Sequence, residues 1–142
     1  LVAAVKSHLG ETDALHALVN NVGTNVRVPA EETTEEQFHH IVNTNQLSAF
    51  ELSKALLPLL RRTLSPPGSP TPQIPGSIVF VGSVAGRRNI GNCALLGVTK
   101  AALARLVKNL SVEWAPLRWY GCVGHRSLFW VNVSALYITI FD

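Results

Sequence analysis

The chain has 142 residues, 47% hydrophobic and 15% charged, with a formal net charge of +3. Those values suit one globular domain with a real core and exclude a disordered polar chain. No Lys/Arg run gathers the charge into a phosphate-tracking stripe, which excludes a nucleic-acid surface, and the longest apolar stretch, Leu128 to Phe141, is interrupted by Asn132, Ser134 and Thr139 and falls short of the ~20 residues of a membrane-spanning helix.

Leu1, Val2, Val5 and Leu9 recur at helical spacing, and Gly10 stops the pattern. Ala14 to Val19 is an almost unbroken apolar run, which predicts a parallel strand buried on both faces. It breaks into Asn20-Asn21-Val22-Gly23, polar and turn-prone. Thr33-Thr34-Glu35-Glu36-Gln37 opens a helix, with Thr33 and Glu36, or Thr34 and Gln37, forming a capping box. Its stripe runs Phe38, Ile41, Val42, Ala49, Leu52, Leu56, Leu59. Asn45 falls inside that stripe, so its amide is expected to be buried and to need partners. Pro58 is expected to kink the last turns, and Arg61-Arg62 suit a helix C-terminus.

Residues 63–76 hold five of the eight prolines and read as a flexible insertion, with a proline-motif ligand as the sharper alternative. Ser77 to Gly82 is a second buried strand, ending at Ser83. Thr99 to Ala115 is a second amphipathic helix, with Leu103, Leu106, Val107, Leu110 and Trp114 on one face. Strand, helix, strand, helix with long crossovers argues a parallel α/β sheet, with strands near 15–19 and 77–82 and helices near 35–61 and 97–115. From Leu117 the periodicity is lost, and Trp130 to Phe141 alternates weakly as a candidate strand. The chain therefore divides into a domain over 1–118 and an atypical tail over 119–142. It has no methionine and opens inside a helical pattern, which reads as a fragment. Cys93 and Cys122 form no CxxC and no charged-then-apolar leader opens the sequence, so both thiols are expected to be reduced and the chain cytoplasmic.

Ligands of open parallel sheets bind at the carboxyl ends of the strands. Both predicted strands end there in small or polar groups, Asn20 to Gly23 and Gly82-Ser83, and Asn45 and Lys100 lie within reach of the same edge. These residues carry a resemblance. Asn20-Asn21-Val22-Gly23 resembles the Asn-Asn-Ala-Gly motif of the short-chain dehydrogenases/reductases. Asn45 looks like that family's helix asparagine, Gly76 to Gly86 resembles the strand that delivers the catalytic serine, and Lys100 resembles the lysine of Tyr-x-x-x-Lys. The tropinone-reductase-like subgroup is the nearest, on Asn20 to Arg27 and Ser77 to Gly86.

The resemblance implies a partial Rossmann-type doubly wound parallel sheet with its N-terminal strands missing. It implies NADP or NAD as cofactor and a small-molecule alcohol/ketone pair as substrate. Ser83, Lys100 and Asn45 would be catalytic, and Asn20, Asn21, Val22, Gly23 and Lys100 cofactor-binding. In the family the serine and tyrosine hold the carbonyl, the tyrosine moves the proton, the lysine lowers the tyrosine pKa and bonds the ribose, and the asparagine supports a water relay. The family's interface helices correspond to 35–62 and 99–115, so a homo-oligomer is implied.

The departures are specific. The tyrosine position, thirteen residues after Ser83 and four before Lys100, is Leu96, which has no proton to give. No GxxxGxG phosphate loop stands anywhere in the sequence. An impaired oxidoreductase follows, or alternatively a non-catalytic binding or assembly domain or a degenerate gene product with no activity. Plainer roles remain for single residues. Asn20-Asn21 can be an ordinary turn, Ser83 a loop cap, Lys100 a solvated helix-start lysine, and Arg87-Arg88 a solvated loop instead of a substrate contact. His39 and His40, adjacent on a helix, point different ways and make no metal pair. The site readings predict that Ser83, Asn45 and Lys100 share one cleft with Leu96 beside Ser83. An unpaired sheet edge predicts weak dimerisation or aggregation.

Overall fold

The computed structural model describes residues 1–10, 15–61 and 76–114, and the backbone of 122–123 and 128–131. The proline-rich segment up to residue 75, and the candidate strand beyond Val131, lie outside the described residues.

Helix α1 (Val2–Leu9) ends at Gly10, whose N–H donates to the Lys6 carbonyl at 3.1 Å and whose φ of 66° turns the chain out of the helix. Strand β1 (Ala17–Asn20) pairs in parallel with β2 (Ser77–Val81), with Ala17 opposite Ser77 and Asn20 opposite Phe80. This is the predicted parallel pair. Helix α2 (Glu35–Val42) opens on a full capping box: the Gln37 N–H donates to Thr34 Oγ1 at 3.2 Å and the Thr34 N–H to Gln37 Oε1 at 3.1 Å. Thr33 instead donates its hydroxyl to the Pro29 carbonyl. One π-helical turn, Asn43–Leu47, then joins α2 to α3 (Ser48–Leu60) without a break. Pro58 lies inside α3, two residues before its end. The carbonyls of Leu59 and Leu60, left open by the ending helix, accept the N–H groups of Leu15 at 3.1 Å and Gly76 at 2.9 Å. The end of one helix thereby fixes the approach to both strands.

Helix α4 (Ala94–Trp114) starts three residues before the predicted 97. Helices α1, α3 and α4 deliver their apolar stripes to one side of the sheet. There Leu18, Ile78 and Phe80 meet Leu56, Leu60, Leu103, Val107 and Leu110, with Val2, Val5 and Leu9 of α1 packed at the margin. Each such side chain fully withdrawn from water contributes ~1.5–3 kcal/mol.

Two expectations need correction. The described part of the run Ala14 to Val19, residues 15–19, is not buried on both faces: Leu18 is buried, but Val19 is 56% exposed and Ala17 is also exposed. Among the described residues the helices cover only the Leu18 side, and β1 forms one edge of the sheet. The sheet is also parallel only in part. Strands β3 (Cys122–Val123) and β4 (Leu128–Val131), both from the atypical tail, complete the order β1-β2-β4-β3. There β4 runs antiparallel to both β2 and β3, with Ile78 opposite Val131. No helix among the described residues is long and apolar enough to cross a membrane.

Candidate functional site

The site forms where β1 and β2 end and α4 begins. Lys100 sits in the second turn of α4, and its side chain folds inward, 5% exposed, to donate from Nζ to the Val81 carbonyl at 2.7 Å. That bond anchors α4 to the carboxyl end of β2. Among the described residues the ammonium forms no ion pair, and burial pushes its pKa below the ordinary lysine value of 10.5. The plainer reading of Lys100 as a solvated lysine is therefore excluded.

Gly23 closes the other side. A Cβ at Gly23 would come within 3.1 Å of Lys100 Nζ and 3.4 Å of Asn45 Oδ1. A side chain there would push on the lysine tip, so the glycine of the Asn-Asn-Val-Gly turn lets three sequence-separated residues meet closely.

Asn45 is fully buried inside the π turn, as its place in the apolar stripe demanded. Its Oδ1 accepts the Thr24 N–H at 2.7 Å. Its Nδ2 donates to the Thr24 carbonyl at 2.9 Å and to Thr99 Oγ1 at 3.1 Å. The amide therefore clamps the segment after β1 from both backbone groups and links it to α4.

Ser83 follows β2 in extended conformation, two residues beyond the carbonyl that Lys100 holds. Its Oγ accepts the Ala85 N–H at 3.2 Å and caps a short 3-10 turn, Val84–Gly86. Leu96 lies in the first turn of α4, one turn before Lys100, so the helix already runs through the position where the family keeps its phenol. Asn21 and Val22 are exposed, but Asn20 is not with them: it is 8% exposed, and its Nδ2 donates to Ser53 Oγ at 2.9 Å, tying β1 to α3. The Asn-Asn pair thus splits into one inward structural amide and one outward group.

Thr99 was overlooked by the sequence reading. It is fully buried, receives Asn45 Nδ2, and lies within bonding distance of the Leu95 and Leu96 carbonyls at 2.9 and 3.1 Å. Its signal was a hydroxyl in the buried row Thr99, Leu103, Val107, Leu110, where an apolar residue would otherwise stand.

The chain is similar to known proteins in sequence and in fold. The family model described as short chain dehydrogenase matches residues 1–119. A tropinone reductase homolog of Arabidopsis thaliana is 44% identical over 101 residues, covering 71% of this chain and 34% of that protein. Senescence-associated protein 13 of the same plant is 41% identical with the same coverage of both chains. Among solved structures, a short-chain dehydrogenase from Streptomyces avermitilis superposes with a TM-score of 0.65 at 31% identity, over 82% of this chain and 38% of that one. An oxidoreductase from Burkholderia thailandensis shares the fold with a TM-score of 0.63 at 23% identity, over 82% of this chain and 40% of that one. The chain spans about a third of the length of the curated relatives it matches. A family match across residues 1–119, with the lysine, asparagine and glycine meeting at the strand ends, means that the chain belongs to the short-chain dehydrogenase/reductase family as a tropinone-reductase-like member.

Proposed function

We propose that the chain is the substrate-side portion of an NADP(H)- or NAD(H)-dependent oxidoreductase interconverting an alcohol and a ketone, impaired at the proton-transfer step. The observation that carries this reading is the meeting of Lys100 Nζ, Asn45 and Gly23 at the carboxyl ends of the strands. The cradle fits the ribose end of a dinucleotide: Lys100 spends one N–H on Val81 and keeps others for a ligand, and Gly23 keeps the approach open. The pyrophosphate end has no glycine-rich loop within these 142 residues to hold it. When bound, the cofactor supplies the hydride. The chain's own residues do the rest. Lys100 places a cation beside the site, Ser83 offers a hydroxyl for a carbonyl oxygen, and Asn45 holds the segment after β1 in position.

Leu96 supplies no proton. Loss of a positioned general acid costs ~10²–10⁴ in rate. That same substitution favours the second reading, a non-catalytic binding or assembly domain. The exposed apolar residues Phe38 and Leu47 on the helix 35–62, and Val112 on the helix 99–115, support self-association there. The free Cys93 thiol fits a reducing, cytoplasmic setting.

The test compares four forms in NADPH oxidation with a panel of cyclic ketones: the chain, Leu96→Tyr, the chain fused behind a glycine-rich front half from a relative, and both repairs together. Turnover is expected only where the front half is present, and the double repair is expected to be the fastest. Turnover by Leu96→Tyr alone would refute the account of the defect, and none from the double repair would favour the non-catalytic reading.

A further inference from the structure

Lys100 carries a nitrogen with chemistry that hydride transfer leaves unused. The residue is 5% exposed. Among the described residues its Nζ makes one hydrogen bond, to the Val81 carbonyl at 2.7 Å, and no ion pair. A carbonyl accepts an N–H from an ammonium and from a neutral amine alike, so that bond does not tie the nitrogen to its protonated form.

The surroundings of the amine are without charge. Segments 20–24, 43–47, 77–81 and 83–86 border the lysine, through the Gly23 and Asn45 contacts, the Val81 bond and the close approach of Gly86 to the Lys100 Cβ. None of the four contains an Asp, Glu, His, Cys, Tyr, Lys or Arg. Helix α2 also packs beside α4 and carries Glu35, Glu36, His39 and His40, all exposed. Strands β3 and β4 lie beside α4 too, and Cys122 is their one ionisable residue. On α4 itself the first charged residue after Lys100 is Arg105, and one turn before Lys100 stands Leu96. A buried cation bordered by no counter-charge is costly. Burial therefore moves Lys100 toward the neutral amine, whose lone pair is a nucleophile.

The amine also has an uncovered side. Gly23 is exposed, and a Cβ there would stand 3.1 Å from Nζ, so the turn puts no side chain over that side of the nitrogen at this position.

We propose that Lys100 captures a small neutral aldehyde covalently, its Nζ condensing with the carbonyl carbon to an imine. The nitrogen lone pair forms the C–N bond, and one N–H proton passes to the carbonyl oxygen. The remaining N–H proton and the C–O bond are then lost as water, so no oxidant or reductant is consumed. A neutral aldehyde is the class that fits, because the bordering segments offer no ionisable group to hold a charged one. The step needs neither nicotinamide nor a glycine-rich loop, and it stands apart from the oxidoreductase reading.

The test incubates the full chain with butanal and sodium cyanoborohydride, which reduces an imine to a stable secondary amine, and locates the adducts by peptide mass spectrometry. No nicotinamide is present, so failure here leaves the four-form turnover comparison untouched. Near neutral pH, Lys100 is expected to be labelled ~3-fold or more faster than the exposed Lys6 and Lys108, because the neutral fraction of an amine grows as its pKa falls. That preference is expected to shrink as pH rises toward 10.5, the ordinary lysine value. It is also expected to vanish in urea, since it depends on the fold. Leu96→Glu places a carboxylate one turn before Lys100 and favours the ammonium. It is expected to label at Lys100 ~3-fold or more slowly than Leu96→Gln, with Lys6 equal in the two. Labelling of Lys100 no faster than that of Lys6 and Lys108, equal rates in Leu96→Glu and Leu96→Gln, or a preference that survives unfolding would each overturn the proposal.

Discussion

Asn45→Ala removes the amide on which the site is built, and its cost can be worked from the hydrogen bonds it makes. Three are lost: one accepted from the Thr24 N–H at 2.7 Å, one donated to the Thr24 carbonyl at 2.9 Å and one donated to Thr99 Oγ1 at 3.1 Å. A net contribution of ~1 kcal/mol per bond gives about 3 kcal/mol. Thr24 is only half-buried and regains water in part, which lowers the figure. Thr99 keeps its backbone acceptors in the preceding turn and loses least. A fully buried cavity where the amide stood raises the figure again. The expected loss is therefore about 2–3 kcal/mol, a large share of the ~5–15 kcal/mol that holds a domain folded. Urea unfolding followed by far-ultraviolet circular dichroism reads it as a fall in midpoint at constant slope. A cycle with Thr99→Val is expected to show ~1 kcal/mol of coupling, since the two side chains share a bond. A loss below ~1 kcal/mol for Asn45→Ala, or strict additivity with Thr99→Val, would refute the view that the clamp is structural.

The remaining predictions concern the neighbours of that clamp. Burial lowers the Lys100 pKa, so the folded state binds that proton less tightly than the unfolded chain does. The penalty is full below the folded pKa and disappears as pH rises toward 10.5, so this component of stability increases with pH. A stability–pH series of wild type against Lys100→Met should lose that rise, and an unchanged slope would contradict it. Gly86→Ala places a Cβ 2.9 Å from the backbone at Ala101 and Lys100, with no flexible tip to yield. Destabilisation of ~1–3 kcal/mol is expected in the same assay, and a neutral result would show that the 84–86 turn can lift off α4. Thr34→Ala removes the side-chain half of the capping box and should cost ~1 kcal/mol, with Thr34→Ser restoring most of it.

What was legible in the sequence was what local chemistry dictates. The parallel partners β1 and β2 were readable because a crossover with a helix between two apolar runs leaves little other topology. The capping box at Thr34 and Gln37 was readable because it is a contact between residues three apart, though the choice over Thr33 and Glu36 required the helix start itself. Burial of Asn45 followed from its place in the stripe, and Lys100 and Gly23 were readable through the family pattern.

Tertiary structure decided which faces are covered and how the later strand joins the sheet. An apolar run carries no mark of how many of its faces are covered, so Val19 read as core and is exposed because the described helices pack on the other side. Strand direction is not written in side-chain alternation either, and β4 took the antiparallel place beside β2. Asn20 and Asn21 are indistinguishable in a motif, yet alternation along β1 turns one into Ser53 and the other outward. Thr99 gained its role only when α4 met the π turn. Periodicity fixes which side chains share an element's face; the contacts across elements, separated by tens of residues, are set by packing alone.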